Sequence, residues 1–562
     1  VRRTAGFLLF APRDRGQAAL MSESATRYHL HTDGEDGVPL RRVRMLWAAY
    51  LLLLGVGVGV HYSSGQAAAA PTATQVGACS NGFPPSFIWG LGTSAYQIEG
   101  GANLTGRQPS IWDSFAHTPG KTSDGDTGDV ACDHVRLFRT DVELMRSIGL
   151  RHYRFSISWS RVMSWDAARR RMVPNEPGLR FYDALLDALL AAGIAPYVTL
   201  YHWDLPQALH AELGGWHTPY NRRVHAEFAR YAALCFVRYG GRVRFWATFN
   251  EPWTFAVEGY SLGRKAPGCV PTLTGPGPCP DRDAVYVVGH NVLLAHAAAA
   301  ELYRREYQPS QRGVLSMSLN CEFSLPLTPA REDAAAAERA NEFFLGWWLQ
   351  PLLSGDYPAV MRQYLGARLP TFSREESARL QGSIDVLGLN HYSTHLVRAA
   401  RPHEPGDQWC GWIADQRLHS SYGAGWPQAA SAWERAYPPG IRRLLSWAAG
   451  RAGARWHADV LITENGWACN SAGAAAAAHD VQQQEYLANY TEQVRLALVE
   501  DGVPVRGYFG WSLLDNYEWN DGYSKRFGLF YVDYGTQART PKQAARWWNR
   551  TRHCSSGKAG VW

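Results

Sequence analysis

Short apolar runs recur along the chain from about residue 83, and stretches with apolar residues at helical spacing separate most of them. Apolar runs of this kind, bounded by polar residues, are typical of buried β-strands. FYDALLDALLAAG (181–193) and YLANYTEQVRLALVEDG (486–502) are two of the helical stretches, and the second ends in glycine, a common helix terminator. The predicted strands are FIWGLGT (87–93), HYRFSISW (152–159), APYVTLYHW (195–203), RFWATFN (244–250), GVLSMSLN (313–320), IDVLGLN (384–390), VLITE (460–464) and VRGYFGWS (505–512).

Eight strands that alternate with helices predict an α/β fold, a single (β/α)8 TIM barrel with long loops after the strands. An open, doubly wound parallel sheet is the alternative. The first predicted strand is followed by no glycine-rich dinucleotide-binding loop, so we favour the barrel. Two alanine tracts, 297–300 and 334–337, fit helices, whereas the tract at 474–478 is predicted to lie in a loop.

The first 78 residues differ from the rest. Residues 1–44 are polar and aperiodic, and we interpret them as a disordered or wrongly assigned N-terminal tail. In residues 45–78, the apolar run MLWAAYLLLLGVGVGV follows the basic RRVR (41–44) and precedes small residues, which is the pattern of a cleaved signal peptide plus a linker. An uncleaved type II membrane anchor is the alternative. Either way the main domain, 79–562, is expected on the secreted or lumenal side, and a membrane is a partner only if the anchor is retained.

Cysteine and glycosylation patterns favour the same compartment. Cys269 and Cys279 bracket the loop CVPTLTGPGPC, which suits a local disulfide in an oxidising compartment, with two free thiols as the alternative. N-glycosylation motifs begin at Asn103, Asn489 and Asn549 and add weak support for a secreted glycoprotein.

Composition excludes one class of partner and suggests another. The net charge is +6, but much of the positive charge lies near the N-terminus. We find no basic stripe and no zinc-finger spacing, so nucleic acid is not an expected partner. The chain contains 23 Trp and 27 Tyr, whose flat faces suit the stacking of sugar rings, although core packing also explains them. Nothing in the sequence indicates an oligomeric state.

Polar and aromatic residues follow most of the predicted strands, and in a parallel barrel the chemistry collects at the carboxyl ends of the strands. Glu251 in ATFNEPW and Glu464 in LITENGW each follow an apolar run directly. Acetal hydrolysis needs two carboxyl groups with different pKa values, one protonated and one ionised. Each glutamate alone is explained as well by a solvated strand end. The other residues at these ends include Gln97, Glu99, His202, Trp203, Asp204, Asn250, Asn390, His391, Tyr392, Asn465, Trp511, Glu518 and Trp519.

The histidines near these ends do not indicate a metal site. His202 and His391 lack metal-ligand spacing, so we expect them to form hydrogen bonds only. The sequence predicts neither a metal nor another cofactor.

FNEPW and ITENGW, in this order, closely resemble the two catalytic signatures of glycoside hydrolase family 1, the β-glucosidase family. The resemblance runs from FPPSFIWGLGTSAYQIEGG (83–101) to RWWNR (546–550) and includes YRFSISWSR, YHWDLPQAL, GLNHYS and GYFGWSLLDNYEWNDGYSKRFGLFYVD. It implies a (β/α)8 barrel and retaining hydrolysis of terminal β-D-glycosyl residues through a covalent glycosyl-enzyme. β-Glucosidase activity comes first, with β-galactosidase and β-fucosidase activities as further possibilities. The loop between the two cysteines is similar to that of plant-type secreted members.

The resemblance also implies residue roles. Glu251 would be the general acid and then the general base, and Glu464 the nucleophile. Asn390 and Tyr392 would flank the nucleophile, and Tyr392 would donate a hydrogen bond to it. Trp433 would border the leaving-group side. The implied substrate-binding residues are Gln97, His202, Asn250, Asn390, Tyr392, Trp433, Trp511, Glu518, Trp519 and Phe527.

Glu518 favours a free hexoside over a phosphorylated sugar as the substrate, because a carboxylate accepts hydrogen bonds from neutral hydroxyl groups but repels a phosphate. The chain departs from the family pattern at His391, where a tyrosine is frequent, and at RDAVY (282–286). The outer loops at 400–430 match no pattern, so the leaving group stays open. A transglycosidase and a non-catalytic glycan-binding relative are the alternative functions. The presence of both glutamates disfavours the second, and the presence of Glu251 disfavours a thioglucosidase.

Overall fold

A computed structural model of the chain describes residues 82–269, 283–401, 411–452, 459–471 and 473–551. The predicted tail, the predicted signal or anchor segment and Cys279 lie outside the described residues. The domain boundaries and the disulfide therefore stay predictions. All the described residues belong to one compact unit.

In the described part of the chain, eight parallel strands close into a barrel in which each strand pairs with its neighbours in chain order, and the last pairs with the first. The predicted (β/α)8 barrel is confirmed, and each predicted strand matches an observed one within a few residues. The barrel strands are β1 Ile88–Gly92, β2 His152–Ser156, β3 Ala195–Tyr201, β4 Phe245–Asn250, β5 Val314–Asn320, β6 Val386–Asn390, β7 Asp459–Asn465 and β8 Val505–Trp511.

Inward-pointing side chains fill part of the barrel interior. A cluster separate from the main core contains Ile88, Tyr197, Phe245, Leu461 and Phe509, which come from five different strands. Residues on a strand alternate between the inside and the outside of a barrel, so only every second residue of a strand can contribute to this filling. The filled interior leaves the carboxyl ends of the strands as the place for a cavity.

Helices surround the barrel, as the helical spacing of the sequence predicts. The helical stretch Ala284–Gln311 is long and apolar enough to cross a membrane, but 78% of its most apolar window is buried inside the protein, so it is a core helix. The longer helices are His134–Ser147, Glu176–Ala191, Arg222–Tyr239, Ala284–Leu302, Arg331–Asn341, Pro439–Ala452 and Val481–Val499, followed by Gln543–Thr551 at the end of the described chain.

Shorter elements lie between the barrel strands and the longer helices or continue those helices. Short helices lie at Ala95–Ile98, Ile111–Ala116, Ser123–Gly125, Trp159–Val162, Gln207–Leu213, Gly215–His217, Pro252–Tyr260, Tyr303–Tyr307, Gln308–Gln311, Glu342–Gly346, Trp347–Ser354, Ala359–Leu365, Gly366–Arg368, Arg374–Leu380, Trp412–Asp415, Ala474–Ala477 and Trp519–Asp521. Small sheets contain Met163–Asp166 with Arg171–Pro174, Phe530–Asp533 with Ala538–Pro541, and Phe323–Pro326 with Thr394–Ala399 and Leu418–Ser421.

One of the predictions for the alanine tracts is wrong. The tracts at 297–300 and 334–337 lie in helices, as predicted, but the third forms the short helix Ala474–Ala477 instead of a loop. Alanine has the highest helix propensity of all residues, and this local preference is satisfied even within a glycine-containing connection.

Candidate active site

A cavity of about 720 Å³ opens at the carboxyl ends of the barrel strands. Asn250, at the end of β4, is buried beneath its wall. Every other predicted catalytic and substrate-binding residue lines the cavity: Gln97, His202, Glu251, Asn390, Tyr392, Trp433, Glu464, Trp511, Glu518, Trp519 and Phe527.

The backbone at the end of β4 turns sharply to place Glu251. This residue has a left-handed conformation, with φ 46° and ψ 61°, between β4 and the helix Pro252–Tyr260. For a non-glycine residue that conformation costs on the order of 1–2 kcal/mol. The backbone N–H of Glu251 donates to the carbonyl oxygen of Ser318 in β5 at 2.8 Å, which ties the turn to the neighbouring strand. The strained turn thus fixes the root of the side chain at the cavity.

The carboxyl group of Glu251 is buried, with 7% of the residue exposed. Asn390 Nδ2 donates to its Oε1 at 2.8 Å, and the Thr254 hydroxyl donates to its Oε2 at 2.9 Å. Burial, and next the negative charge of Glu464, raise the pKa of Glu251 to about 8. A carboxyl group with this pKa is mostly protonated at neutral pH and can donate a proton to a leaving group.

The carboxylate of Glu464 is held by two strong donors. Arg154 Nη1 donates to its Oε1 at 2.5 Å, and the Tyr392 hydroxyl donates to its Oε2 at 2.9 Å. The contact with Tyr392 is the one that the family resemblance implies. The guanidinium compensates the negative charge and orients the carboxylate, since charge-assisted hydrogen bonds are shorter and stronger than neutral ones.

Arg154 is a site residue that the sequence analysis did not single out. It is fully buried in β2 and also donates through Nη2 to Asn250 Oδ1 at 2.5 Å, so it joins β2, β4 and β7 under the cavity. The available signal was a charged residue inside the apolar run HYRFS. A buried cation requires a partner, and a buried arginine in a barrel strand indicates a nearby carboxylate.

Asn390 lies between the two carboxyl groups: it is opposite Glu464 in the pairing of β6 with β7, and its side chain reaches Glu251. That it flanks the nucleophile stays a prediction, and the structure adds that its side-chain amide donates to Glu251 Oε1 and to Asn250 Oδ1, the latter at 3.1 Å. The Thr463 hydroxyl donates to Asn390 Oδ1 at 2.6 Å and thereby orients the amide. A register shift between β6 and β7 sets Glu464 opposite Asn390 while the amide is directed toward β4.

Gln97 and Glu518 form a polar group at another wall of the cavity. Ser94 donates to Gln97 Oε1 at 2.6 Å, and Gln97 Nε2 lies 3.0 Å from the carbonyl oxygen of Tyr517 and 3.3 Å from Glu518 Oε2. Burial raises the pKa of Glu518 to about 8, although Lys265 acts in the opposite direction. These groups offer acceptors and donors for the hydroxyl groups of a ligand.

His202 is a neutral polar group in this wall. Burial, and next the charge of Arg154, lower the pKa of His202 well below its usual range. Its Nε2 lies 3.1 Å from Asn250 Nδ2. A neutral imidazole donates one hydrogen bond and accepts another, which suits recognition of a hydroxyl group.

Aromatic side chains complete the walls. The His202 ring stacks on Trp511 at 5.9 Å and on Trp519 at 6.0 Å between ring centroids. On another wall, Trp433 stacks on Phe527 at 6.3 Å with an interplanar angle of 19°. Trp433 is 37% exposed, so it lies where the cavity meets solvent. Flat apolar faces between polar groups are typical of sugar-binding cavities.

His391, where the chain departs from the family pattern, does not line the cavity. Its ring is buried, and its Nδ1 lies 2.8 Å from the carbonyl oxygen of Cys321. Burial lowers the pKa of His391 to about 4. His391 therefore lies behind the wall of the cavity and not on its surface. Within the part of the chain that the structure describes, no group of three or more His, Cys, Asp or Glu is arranged to hold a metal ion.

Comparison with known proteins finds similarity to glycoside hydrolases over most of the chain. The profile of glycosyl hydrolase family 1 matches residues 79–556. Beta-glucosidase 1B of Phanerodontia chrysosporium is 41% identical over 469 residues, covering 83% of this chain and 85% of that protein. Beta-glucosidase 42 of Arabidopsis thaliana is 44% identical over 474 residues, covering 83% of this chain and 93% of that protein.

A solved structure is also similar. A rice beta-glucosidase mutant, in a covalent complex with Glc, has a TM-score of 0.80 and 39% sequence identity, covering 85% of this chain and all of that one. The profile match, the identity levels and the barrel with its two carboxyl groups agree. The chain belongs to glycosyl hydrolase family 1, and it is a glycosidase with the (β/α)8 barrel of that family.

Proposed function

We propose that this protein is a retaining β-glucosidase that acts through a covalent glycosyl-enzyme. The observation that carries the proposal is the different surroundings of two carboxyl groups in one cavity. Glu464 is paired with Arg154, whereas Glu251 has no cation in contact among the described residues and receives only neutral hydrogen bonds. One fold thus supplies a nucleophile and a proton donor side by side.

In the first step, a Glu464 oxygen attacks the anomeric carbon while the bond from that carbon to the leaving oxygen breaks. Glu251 transfers its proton to the departing oxygen, so the aglycone leaves as a neutral alcohol. The sugar stays attached to Glu464 as an ester. The rice beta-glucosidase mutant in a covalent complex with Glc supports this step, because a similar fold there holds a covalently bound sugar.

In the second step, Glu251 is ionised and removes a proton from a water molecule. That water attacks the anomeric carbon from the side that the aglycone left, and Glu464 departs as a carboxylate. Two inversions give net retention of the β-configuration. Arg154 and Tyr392 hold Glu464 in place in both steps, since they donate to its two oxygens.

A free hexoside is the expected substrate. Gln97, His202 and Glu518 offer donors and acceptors to hydroxyl groups, and Trp511 and Trp519 offer apolar faces to the ring. Five glutamates line the cavity, and their negative charge disfavours a phosphorylated sugar. We place glucosides first because the relatives are beta-glucosidases, with galactosides and fucosides as secondary substrates.

We expect the full-length protein to hydrolyse 4-nitrophenyl β-D-glucoside and to release β-glucose as the first-formed anomer. The test measures hydrolysis of 4-nitrophenyl β-glucoside, β-galactoside, β-fucoside and α-glucoside. NMR of the anomeric proton identifies the first-formed anomer. Inactivity on all three β-glycosides would refute the proposal. Transfer of the sugar to an added alcohol in place of water would identify a transglycosidase.

We also propose that the protein enters the secretory pathway. The basic and apolar segments at 41–60 support this, and the sequon residues Asn103 and Asn489 are exposed. Cys269 is buried at the start of the loop that leads to Cys279. Expression in a secreting eukaryotic host should yield a mature N-terminus between residues 60 and 79 and a mass that falls on deglycosylation. A mature start upstream of residue 60 would exclude signal cleavage.

A further inference from the structure

Lys265 lies in the loop after the helix Pro252–Tyr260 and lines the cavity. Its Nζ lies 5.3 Å from the centroid of the Trp203 ring. Trp203 packs in turn on Trp519, with 4.4 Å between ring centroids, and Trp519 directly follows Glu518. The ammonium group therefore lies on the wall of the cavity that contains Glu518.

The charges around Glu518 are unbalanced without Lys265. Glu464 has a guanidinium in contact, but among the described residues neither Glu518 nor Lys265 has an ion-pair partner within 4 Å. Asp521 and Glu464 act on Glu518 with negative charge, and Glu251 does so when it is ionised, whereas Lys265 is the cation that acts on it most strongly. Gln97 reaches Glu518 only with a neutral amide, at 3.3 Å.

Neighbouring cations do not replace Lys265. Arg264 is 56% exposed and lies 3.7 Å from Glu258, so it already has a carboxylate partner at the rim. Lys121 lies on a different ring, with its Nζ 5.4 Å from the centroid of Phe115. The attraction between the ammonium group and the face of the Trp203 ring holds Lys265 at this wall.

We propose that Lys265 is a positioning residue of the sugar site, whose ammonium group is the counter-charge that favours the ionised form of Glu518, the form that accepts hydrogen bonds from two neutral hydroxyl groups. The inference rests on the proposed function, because it assumes that Glu518 binds the sugar. Lys265 acts through Glu518 and takes no part in bond making or breaking. It therefore affects substrate and product binding and leaves the chemical steps unchanged.

The Lys265→Met variant tests this role, because it removes the charge but preserves the length of the side chain. Loss of the cation raises the pKa of Glu518 and leaves it protonated up to a higher pH. We expect the KM for 4-nitrophenyl β-D-glucoside and the inhibition constant of glucose to rise about ten-fold at pH 7. The kcat should change by less than about two-fold. The differences in KM and in the inhibition constant between the two proteins should become smaller toward pH 9, where more of Glu518 is ionised even without the cation.

Two further variants separate charge from shape. Lys265→Arg keeps the cation and should restore the pH dependence of glucose inhibition, and Arg264→Met should change the inhibition constant by less than about two-fold. Equal effects of Lys265→Met and Arg264→Met, or an effect that does not depend on pH, would overturn the inference. If the wild type is active and Lys265→Met has the same KM and inhibition constant, the inference about Lys265 is wrong and the proposed function still holds. A wild type inactive on every β-glycoside would contradict the proposed function itself.

Discussion

Replacement of Glu464 by alanine should lower kcat for 4-nitrophenyl β-D-glucoside by about 10⁴- to 10⁶-fold, because no other group can form the glycosyl-enzyme. Azide fits the space left by the carboxylate and can attack the anomeric carbon directly. Added azide should therefore restore turnover and give α-glucosyl azide, the product of a single inversion. NMR of the anomeric proton identifies that product, and retention of activity without azide would refute the assignment of Glu464.

The control for this variant has to separate chemistry from folding. Glu464→Ala leaves the buried guanidinium of Arg154 without its carboxylate, which lowers the free energy of unfolding by about 3–5 kcal/mol. The melting temperature and a Glu464→Gln variant, which keeps the volume of the side chain, should be measured beside it. Glu322→Ala removes another glutamate that lines the cavity and is paired with His395 at 2.7 Å. It should retain activity within about ten-fold.

Replacement of Glu251 by alanine should have an effect that depends on the leaving group. The first step should slow by about 10²- to 10⁴-fold for a disaccharide, which needs protonation of the leaving oxygen, and little for 2,4-dinitrophenyl β-D-glucoside. Without a general base the second step becomes slow, so a burst of dinitrophenolate should precede a low steady rate. Azide should accelerate that rate and give β-glucosyl azide, opposite to the product expected from Glu464→Ala.

The same variant should change the pH profile. The proton on Glu251 is required for the first step, and burial together with the charge of Glu464 raises the pKa of Glu251 to about 8. The kcat/KM of the wild type for 4-nitrophenyl β-D-glucoside should therefore fall as pH rises through about 8, and this fall should be absent in Glu251→Ala with the same substrate. Glu258 lies in the helix that begins directly after Glu251 and lines the same cavity, so Glu258→Ala is the matched control and should keep the wild-type pH profile. Equal losses on all leaving groups would contradict the acid role.

The contacts among the site residues could not be predicted from the sequence and became known only from the folded structure. The apolar runs predicted the strands because alternation and burial are local properties, and the motifs around Glu251 and Glu464 identified the candidate carboxyl groups. Arg154 and Glu464 are 310 positions apart in the chain, and Asn390 and Glu251 are 139 apart. Such contacts depend on which strands become neighbours and in which register, and neither property is written in a short segment.

The sequence by itself therefore determined the barrel, the position of its active end and the identities of the two catalytic candidates. Hydrophobic periodicity and residue type act over a few residues and survive without any tertiary contact. Only the tertiary structure decided that Asn390 contacts Glu251, that Arg154 compensates Glu464, and that Lys265 lies on Trp203 near Glu518. Barrel closure and the register shift between β6 and β7 bring these side chains together, and burial in the resulting cavity sets their charges.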